Sequence, residues 1–555
     1  MTLFLIRKIK SLSHKDLISS LCANWFIPLS ALFFFLSNAG VTDLDVPLDK
    51  PLFDFYYSII PALLLVLFIS AICRPFSSFF SETKKTIRVI ALFSSIGVSY
   101  CTWLVLNSVA FRCGGNTGVM RLVFMILSIP FTYVVNLIFW HCFEKIISGI
   151  IQKSSITKME WIIYSVLFVG FCIYIAFSFF YSNAFYEADR YIDVIYTSDS
   201  PELIRFNCFV LIDHFENDLR QPFFAVFSAP LMGIPCLIGS LIPGIPMALF
   251  IAFSQVVMML FSAFILAIEL KLNPVQRICF VIVSSVTYTF LLFALMMEQY
   301  VVAVFWLILT VHLYNLGNDA AKTASYAASG TLLISGALVP FILKPKELSI
   351  RSVGTWVKRL AFYAIDFILM FVLFGRLNLI LNVINNYKML ISFTGDKISI
   401  AGRVLQYLNF VESCFFAPET KIRIFNGGYS QWCLADVTEI SYIGVVIILL
   451  SFLGFVLTRK SRISAVAFGW LCFSMIILIG IGWGTSENGL ILYSLCFGWP
   501  FIVLIFNLLK LLEEKLKTKL LIPLATAVLS IILILTNFPA IMGLLNFAIT
   551  EYPFK

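Results

Sequence analysis

WIIYSVLFVGFCIYIAFSFFY (residues 161–181) runs directly into SNAFYEADRYIDVIYTSDSPELIRFNCFVLIDHFENDLRQP (residues 182–222). The first stretch carries no charge and is long enough, as a helix, to cross ~30 Å of hydrocarbon. The second holds Glu187, Asp189, Asp193, Asp199, Glu202, Asp213, Glu216 and Asp218, with Arg190, Arg205, Arg220 and His214 among them. Nothing else in the first two-thirds of the chain is so polar for so long. The junction sets the fold class: the apolar stretch belongs in lipid, and the polar interval belongs outside it.

The same alternation runs through all 555 residues, of which 60% are hydrophobic and 12% charged. Mean hydropathy is +0.97, whereas soluble domains are about half apolar and a quarter charged. Backbone groups in lipid must be satisfied within the segment, so the spans are helices. The fold class is therefore an all-α polytopic membrane protein. The net charge of +9 is no nucleic-acid signal, because the basic residues sit in short loops where they set orientation. The basic N-terminus shows no cleavage site after a short apolar core, so no removable signal peptide is expected. The 13 cysteines are scattered, mostly in apolar runs, with no CxxC pair. Cys414 and Cys433 share one loop. They are either a disulfide, if that loop faces an oxidising compartment, or two free thiols.

Taken in order, spans are expected at 23–37, 56–73, 89–110, 122–143 and 161–181. The positive-inside rule puts the N-terminus in the cytoplasm and interval 182–222 outside. The segment 222–246 is apolar but broken by Pro230, Pro235, Pro243 and Pro246. It reads as one or two helices lying at the outer surface. Further spans follow at 247–270, 278–297 and 300–316, with Glu298 and Gln299 in a tight outer turn. Residues 323–343 read as a re-entrant hairpin that keeps the basic segment after it inside. A span at 360–377 leads to a second long outer loop, 378–441, and spans at 442–457, 465–483, 490–508 and 520–537 complete the chain. The count is about thirteen spans plus the hairpin, with two long periplasmic loops and juxtamembrane helices. The organisation divides into a four-span module (1–157), a core (158–377), the second loop (378–441) and the C-terminal spans (442–555). The first long loop is acidic and the second basic.

A span, an outer loop bearing an aspartate, a Pro-led apolar segment and then short hairpins: this order resembles the GT-C superfamily of membrane glycosyltransferases, which use polyprenyl-phosphate-linked sugars. The residues that carry the resemblance are Thr197-Ser198-Asp199-Ser200-Pro201, His214 through Pro222, and Phe223-Phe224. Met297-Glu298-Gln299-Tyr300, Glu487-Asn488-Gly489 and Leu492 through Ser494 add to it. It covers about 158–537 and leaves out the first four spans. The family's usual Asp-Glu pair is absent, since Ser200 follows Asp199. The resemblance implies a bacterial inner-membrane enzyme moving a sugar from a polyprenyl-phosphate donor to a glycan or lipid-linked acceptor, such as lipopolysaccharide or O-antigen, on the periplasmic face.

Such transfer needs a carboxylate to take the acceptor proton and cationic or metal assistance to the phosphate leaving group. Asp199 is the expected general base; it also reads as a helix N-cap before Ser200 and Pro201, and the two roles can coexist. Arg220 could fork onto phosphate, with Asp218 beside it, or the two form a loop salt bridge. His214 is a metal or acceptor candidate, though a lone loop histidine is more often neither. Glu298 is an acid at a span end, hence functional by default, or a solvated turn residue. Arg403, Lys421 and Arg423 of the second loop could hold the donor phosphate, or face water. The clustered carboxylates would suit Mg²⁺ or Mn²⁺. Asp43, Asp45, Asp49 and Asp54 read as solvated.

Three other classes compete. A lipid-linked-oligosaccharide flippase or other transporter should show internal repeats and midspan charges; Asp366 is the clearest such charge and no repeat is visible. A polysaccharide polymerase typically has arginine-rich outer loops, against which the acidic first loop argues. A non-enzymatic scaffold is the remaining class.

Overall fold

The computed structural model describes residues 14–38, 59–73, 75–112, 118–182, 195–196, 198, 200–205, 209–210, 220–242, 247–313, 319–338, 353–381, 387–388, 391, 394, 398–425, 430–437, 439–484 and 489–551. In chain order the helices begin with α1 (His14–Ala23), α2 (Phe26–Asn38), α3 (Ile60–Ile72), α4 (Phe76–Glu82), α5 (Lys85–Arg112), α6 (Gly118–Ser154) and α7 (Lys158–Tyr181). They continue with α8 (Ser200–Arg205), α9 (Phe224–Leu241), α10 (Met247–Glu269), α11 (Pro274–Ser285), α12 (Tyr288–Leu295), α13 (Gln299–Leu313) and α14 (Asp319–Thr331). After α15 (Val353–Leu373), α16 (Leu377–Leu381) and α17 (Ile400–Ser413) comes an antiparallel hairpin, β1 (Thr420–Phe425) and β2 (Ser430–Ala435). The chain ends with α18 (Tyr442–Thr458), α19 (Arg462–Met475), α20 (Ser494–Leu516) and α21 (Leu521–Glu551).

Among the described residues, 8 helices are long and apolar enough to cross a membrane, or up to 11 if each of three bent pairs is one span. Two shorter apolar helices are α13 and α18. The chain is a multi-pass membrane protein. Its second long loop, expected only as a charged stretch, contains the amphipathic helix α17 and the hairpin β1–β2.

The chain packs as two units, each discontinuous in sequence: 1–150 with 206–247 and 329–387, and 151–205 with 248–328 and 388–555. In the first unit, Pro230 and Pro235 lie inside the single continuous helix α9, 18 residues long, which meets the length and hydropathy needed to cross. Four prolines had argued for a more broken segment. Prolines are tolerated in apolar helices buried among neighbouring helices, and α5 packs against this one. Ser94 donates to the Pro230 carbonyl at 2.8 Å. The backbones approach so closely that a Cβ at Gly97 would lie 1.9 Å from the Gly233 oxygen. Asn136 of α6 joins the network, donating to Ser95 Oγ at 3.0 Å, with its Oδ1 3.1 Å from Ser94 Oγ. Small residues and short polar bonds are how helices associate where burial from water supplies no drive.

In the second unit, α7 starts from a capping box in which Thr157 Oγ1 accepts from the Glu160 N–H. The same Glu160, fully buried, receives Arg277 bidentately, Nε to Oε1 at 2.6 Å and Nη2 to Oε2 at 2.9 Å. The span expected at 278–297 is not one straight helix: α11 and α12 meet at 64°. No glycine or proline marks the bend. Tyr288 N–H donates to the Phe415 carbonyl at 2.9 Å. Asn537 of α21, fully buried, donates to the Val286 and Phe415 carbonyls at 3.0 and 2.8 Å and accepts from Ala417 N–H at 2.8 Å. Partners distant in sequence take up the backbone groups that the break releases.

The expected hairpin at 323–343 shows its break at Leu332, between α14 and a 3₁₀ turn, Leu333–Leu338; its return limb lies outside the described residues.

Candidate active site

The part of the polar interval that belongs to the second unit, up to Arg205, enters the site through a tight turn. Ser198 N–H donates to the Ile195 carbonyl at 3.1 Å, with Tyr196 held at φ +52°. That left-handed conformation is costly for a bulky residue and persists only where surroundings over-determine it. Here they do: Tyr196 is fully buried, edge-on to Tyr288, with the two hydroxyls 2.7 Å apart. The turn is thereby pinned to the first residue of α12.

Two residues on, Ser198 donates to Glu298 Oε1 at 2.8 Å. Ser198 Oγ also accepts from the Ser200 N–H at 3.1 Å and lies 2.6 Å from Ser200 Oγ. A hydroxyl has one proton; with Ser198's directed at the carboxylate, Ser200 is the donor in that pair. Ser198 thus serves the start of α8, where the sequence anticipated a cap, while delivering the loop to Glu298. Asp199 sits between these two serines but lies outside the described residues, as do His214 and Asp218.

Glu298 is 3% exposed, so it is not a solvated turn residue. Its backbone carbonyl accepts from Gln255 Nε2 of α10 at 2.9 Å, and Gln255 is itself fully buried. Residues following Glu298 join a second cluster. Tyr300 meets Tyr493 edge-on at 5.5 Å. The Tyr493 hydroxyl accepts from Trp483 Nε1 at 2.9 Å, and Trp483 bridges to Thr394 of the second loop. Beside Trp483, Gly482 adopts φ +76° at the end of a π-helical turn, Ile476–Ile481. A Cβ there would lie 2.6 Å from Arg403 Cζ. Arg403 Nη1 donates to the Gly480 carbonyl at 3.1 Å. Such π turns are frequent at functional sites. The Ser198 turn, the Glu298 hairpin, Tyr493 and Arg403 therefore form one connected set.

The other expected residues lie elsewhere. Lys421 on β1 faces Asp436 Oδ1 at 3.4 Å. Arg423 pairs with Trp432 through the β1–β2 ladder, and its side chain lies outside the described residues. In the first unit, the Arg220 carbonyl accepts from Leu333 N–H at 2.7 Å. Phe223, two residues past Gln221, inserts between Phe367, Phe371 and Phe374 with centroids 4.6 to 5.9 Å away. Arg376, 4% exposed, donates to the Pro222 carbonyl at 2.9 Å. Cys414 is a free, buried thiol, and burial pushes its pKa up.

Sequence reading assigned no role to Ser198, Gln255 or Arg376. An amide in the apolar run AFSQVVMM and an arginine closing the span at 360–377 were the available signals. Glu298, Ser198 and Ser200 offer the hard oxygen donors that Mg²⁺ and Mn²⁺ take. Among the described residues, however, no three His, Cys, Asp or Glu side chains gather to hold a metal. Comparison with protein-family models, with curated proteins and with solved structures found no match.

Proposed function

We propose that this chain is a GT-C-type membrane glycosyltransferase of the bacterial inner membrane, moving a sugar from a polyprenyl-phosphate donor to a surface glycan or lipid-linked acceptor on the periplasmic face. The observation that supports this reading is the Ser198–Glu298 bond of 2.8 Å. It joins the aspartate-bearing loop to a buried carboxylate at a span end, two segments nominated separately from sequence. Buried ionisable groups at membrane depth are expensive and are kept for function.

In the proposed step, Asp199 takes the acceptor hydroxyl proton as the acceptor oxygen bonds to the sugar's anomeric carbon. The bond from that carbon to the donor phosphate oxygen breaks, and the phosphate leaves with the electron pair. Ser198 and Glu298 orient the loop that carries Asp199, and Arg403 is the cation assigned to the leaving phosphate. A divalent ion, if the enzyme uses one, would add charge stabilisation at the phosphate, with Glu298 and the two serine hydroxyls as oxygen donors.

The test is transfer from a radiolabelled polyprenyl-phosphate sugar in membranes containing Asp199→Asn, Glu298→Gln or Ser198→Ala protein at matched, inserted levels. Loss of a general base should lower turnover by roughly 10²–10⁴-fold. Removal of the serine bond should give a smaller loss. Undiminished transfer by both carboxylate variants would overturn the reading. The bend between α11 and α12 favours a second reading, a lipid-linked-oligosaccharide flippase, because discontinuous helices line transporter sites. Under that reading the wild-type protein would catalyse no transfer and would move the lipid across vesicles.

A further inference from the structure

In the first unit, the turn from α4 into α5 sets an arginine on an aromatic ring. α3 and α4 meet at 69°. Asn24 holds that break, donating to the Ser70 carbonyl at 3.0 Å and accepting from the Phe76 N–H at 2.8 Å. α4 thereby lays Phe80 against Arg88 in the first turn of α5, with the guanidinium carbon 4.6 Å from the ring centroid. Such stacking fixes the guanidinium plane and leaves its edge for hydrogen bonds. Arg88 Nε is covered and unbonded, but the residue as a whole is only half-buried, so its outer nitrogens reach the surface. Among the described residues no carboxylate pairs with it.

Lys84, Lys85 and Lys145 share this end with Arg88, against Glu82 and Glu144, and Glu144 is already held by Lys84 at 2.6 Å. The charge left over is positive and suits an anion. Beyond it the same helix is apolar. Steps of three and four residues carry the face of Lys85 and Arg88 on to Leu92, Phe93 and Ile96, which are 43%, 50% and 37% exposed. α9 packs on the opposite face of α5, at Ser94 and Gly97, and leaves this stripe uncovered. Two cations at the head of an apolar stripe, on a helix long enough to span, match a phospholipid: its phosphate meets the cations and its chain follows the stripe. A free phosphate ion would use only the cations.

We propose that Arg88 and Lys85 bind the phosphate of an anionic phospholipid, the guanidinium edge forking onto its oxygens while an acyl chain lies along Leu92, Phe93 and Ile96. The site belongs to the first unit and would take lipid whether or not the chain transfers a sugar.

The experiment uses the full-length protein in a nonionic detergent, titrated with dioleoyl phosphatidylglycerol and, separately, dioleoyl phosphatidylcholine. Bound lipid is counted by native mass spectrometry. The wild type should prefer phosphatidylglycerol. Arg88→Gln should weaken that lipid's binding about tenfold or more, the worth of a charge-assisted hydrogen bond. Lys85→Gln changes an exposed position, so it decides the matter even where Arg88→Gln fails to fold, and it should weaken binding about fivefold. Lys515→Gln, exposed on the second unit, is the control and should change nothing. Unaltered phosphatidylglycerol affinity in folded Arg88→Gln or in Lys85→Gln protein would overturn the proposal, as would equal wild-type affinity for the two lipids. Displacement of the lipid by millimolar inorganic phosphate would overturn it as well, and would assign the cations to a soluble anion.

Discussion

Replacing Asn537 by Leu should show how much one buried side chain holds the broken span together. The side chain makes three bonds, to the Val286 and Phe415 carbonyls and from the Ala417 N–H. Phe415 keeps Tyr288 N–H as a donor at 2.9 Å, so its carbonyl is not orphaned. Val286 O and Ala417 N lose this partner, and a buried group left unsatisfied costs roughly 1–3 kcal/mol. The sum is about 2–6 kcal/mol. Leucine nearly matches asparagine in volume, so little of this comes from a cavity. The lower end is the working figure, because a helix unfolded in the membrane can heal its own break and so lowers the net worth of such bonds. Reversible unfolding in mixed micelles, followed by far-UV circular dichroism, would measure it. A loss of about 2 kcal/mol is roughly a thirtyfold shift in the folding equilibrium. A loss below about 0.5 kcal/mol would refute the reasoning and show that the bend is held by packing alone.

Two further perturbations test the packing of the separate units. Arg277→Met should destabilise the second unit by about 3–5 kcal/mol by stranding the buried Glu160 carboxylate, and the double variant with Glu160→Met should recover most of that loss in the same assay. Gly97→Val should lower the first unit's thermal stability by at least the ~1–3 kcal/mol of an overpacked core, because its Cβ would start 1.9 Å from the Gly233 oxygen; Gly149→Val, whose Cβ meets nothing within 4 Å, is the control.

Much of the site was legible only as parts. Glu298 stood out because a carboxylate beside apolar runs is improbable without a use, and Asp199 because the family resembled carries an aspartate in that outer loop. The reading of Glu298 as a functional acid or as a solvated turn stayed open in sequence, because burial of a turn is decided by what covers it. Here the neighbours are Gln255, 43 residues away, and Ser198, 100 residues away. Arg403 and Lys421 looked alike as basic residues of one loop. In the structure Arg403 caps the π turn before Gly482, while Lys421 stays on the hairpin with Asp436.

Membrane residence and helical spans were determined by the chain alone, since hydropathy and run length are local properties and lipid leaves the backbone no other way to pair. Three things needed the tertiary structure: the unbroken course of α9 through Pro230 and Pro235, the bend between α11 and α12 with no breaker residue, and the meeting of Ser198 with Glu298. Each depends on hydrogen bonds or close contacts supplied from far along the chain: Ser94 to Pro230, Asn537 to Val286, Ser198 to Glu298. A local pattern cannot encode such partners, because which groups meet is set by how the helices pack.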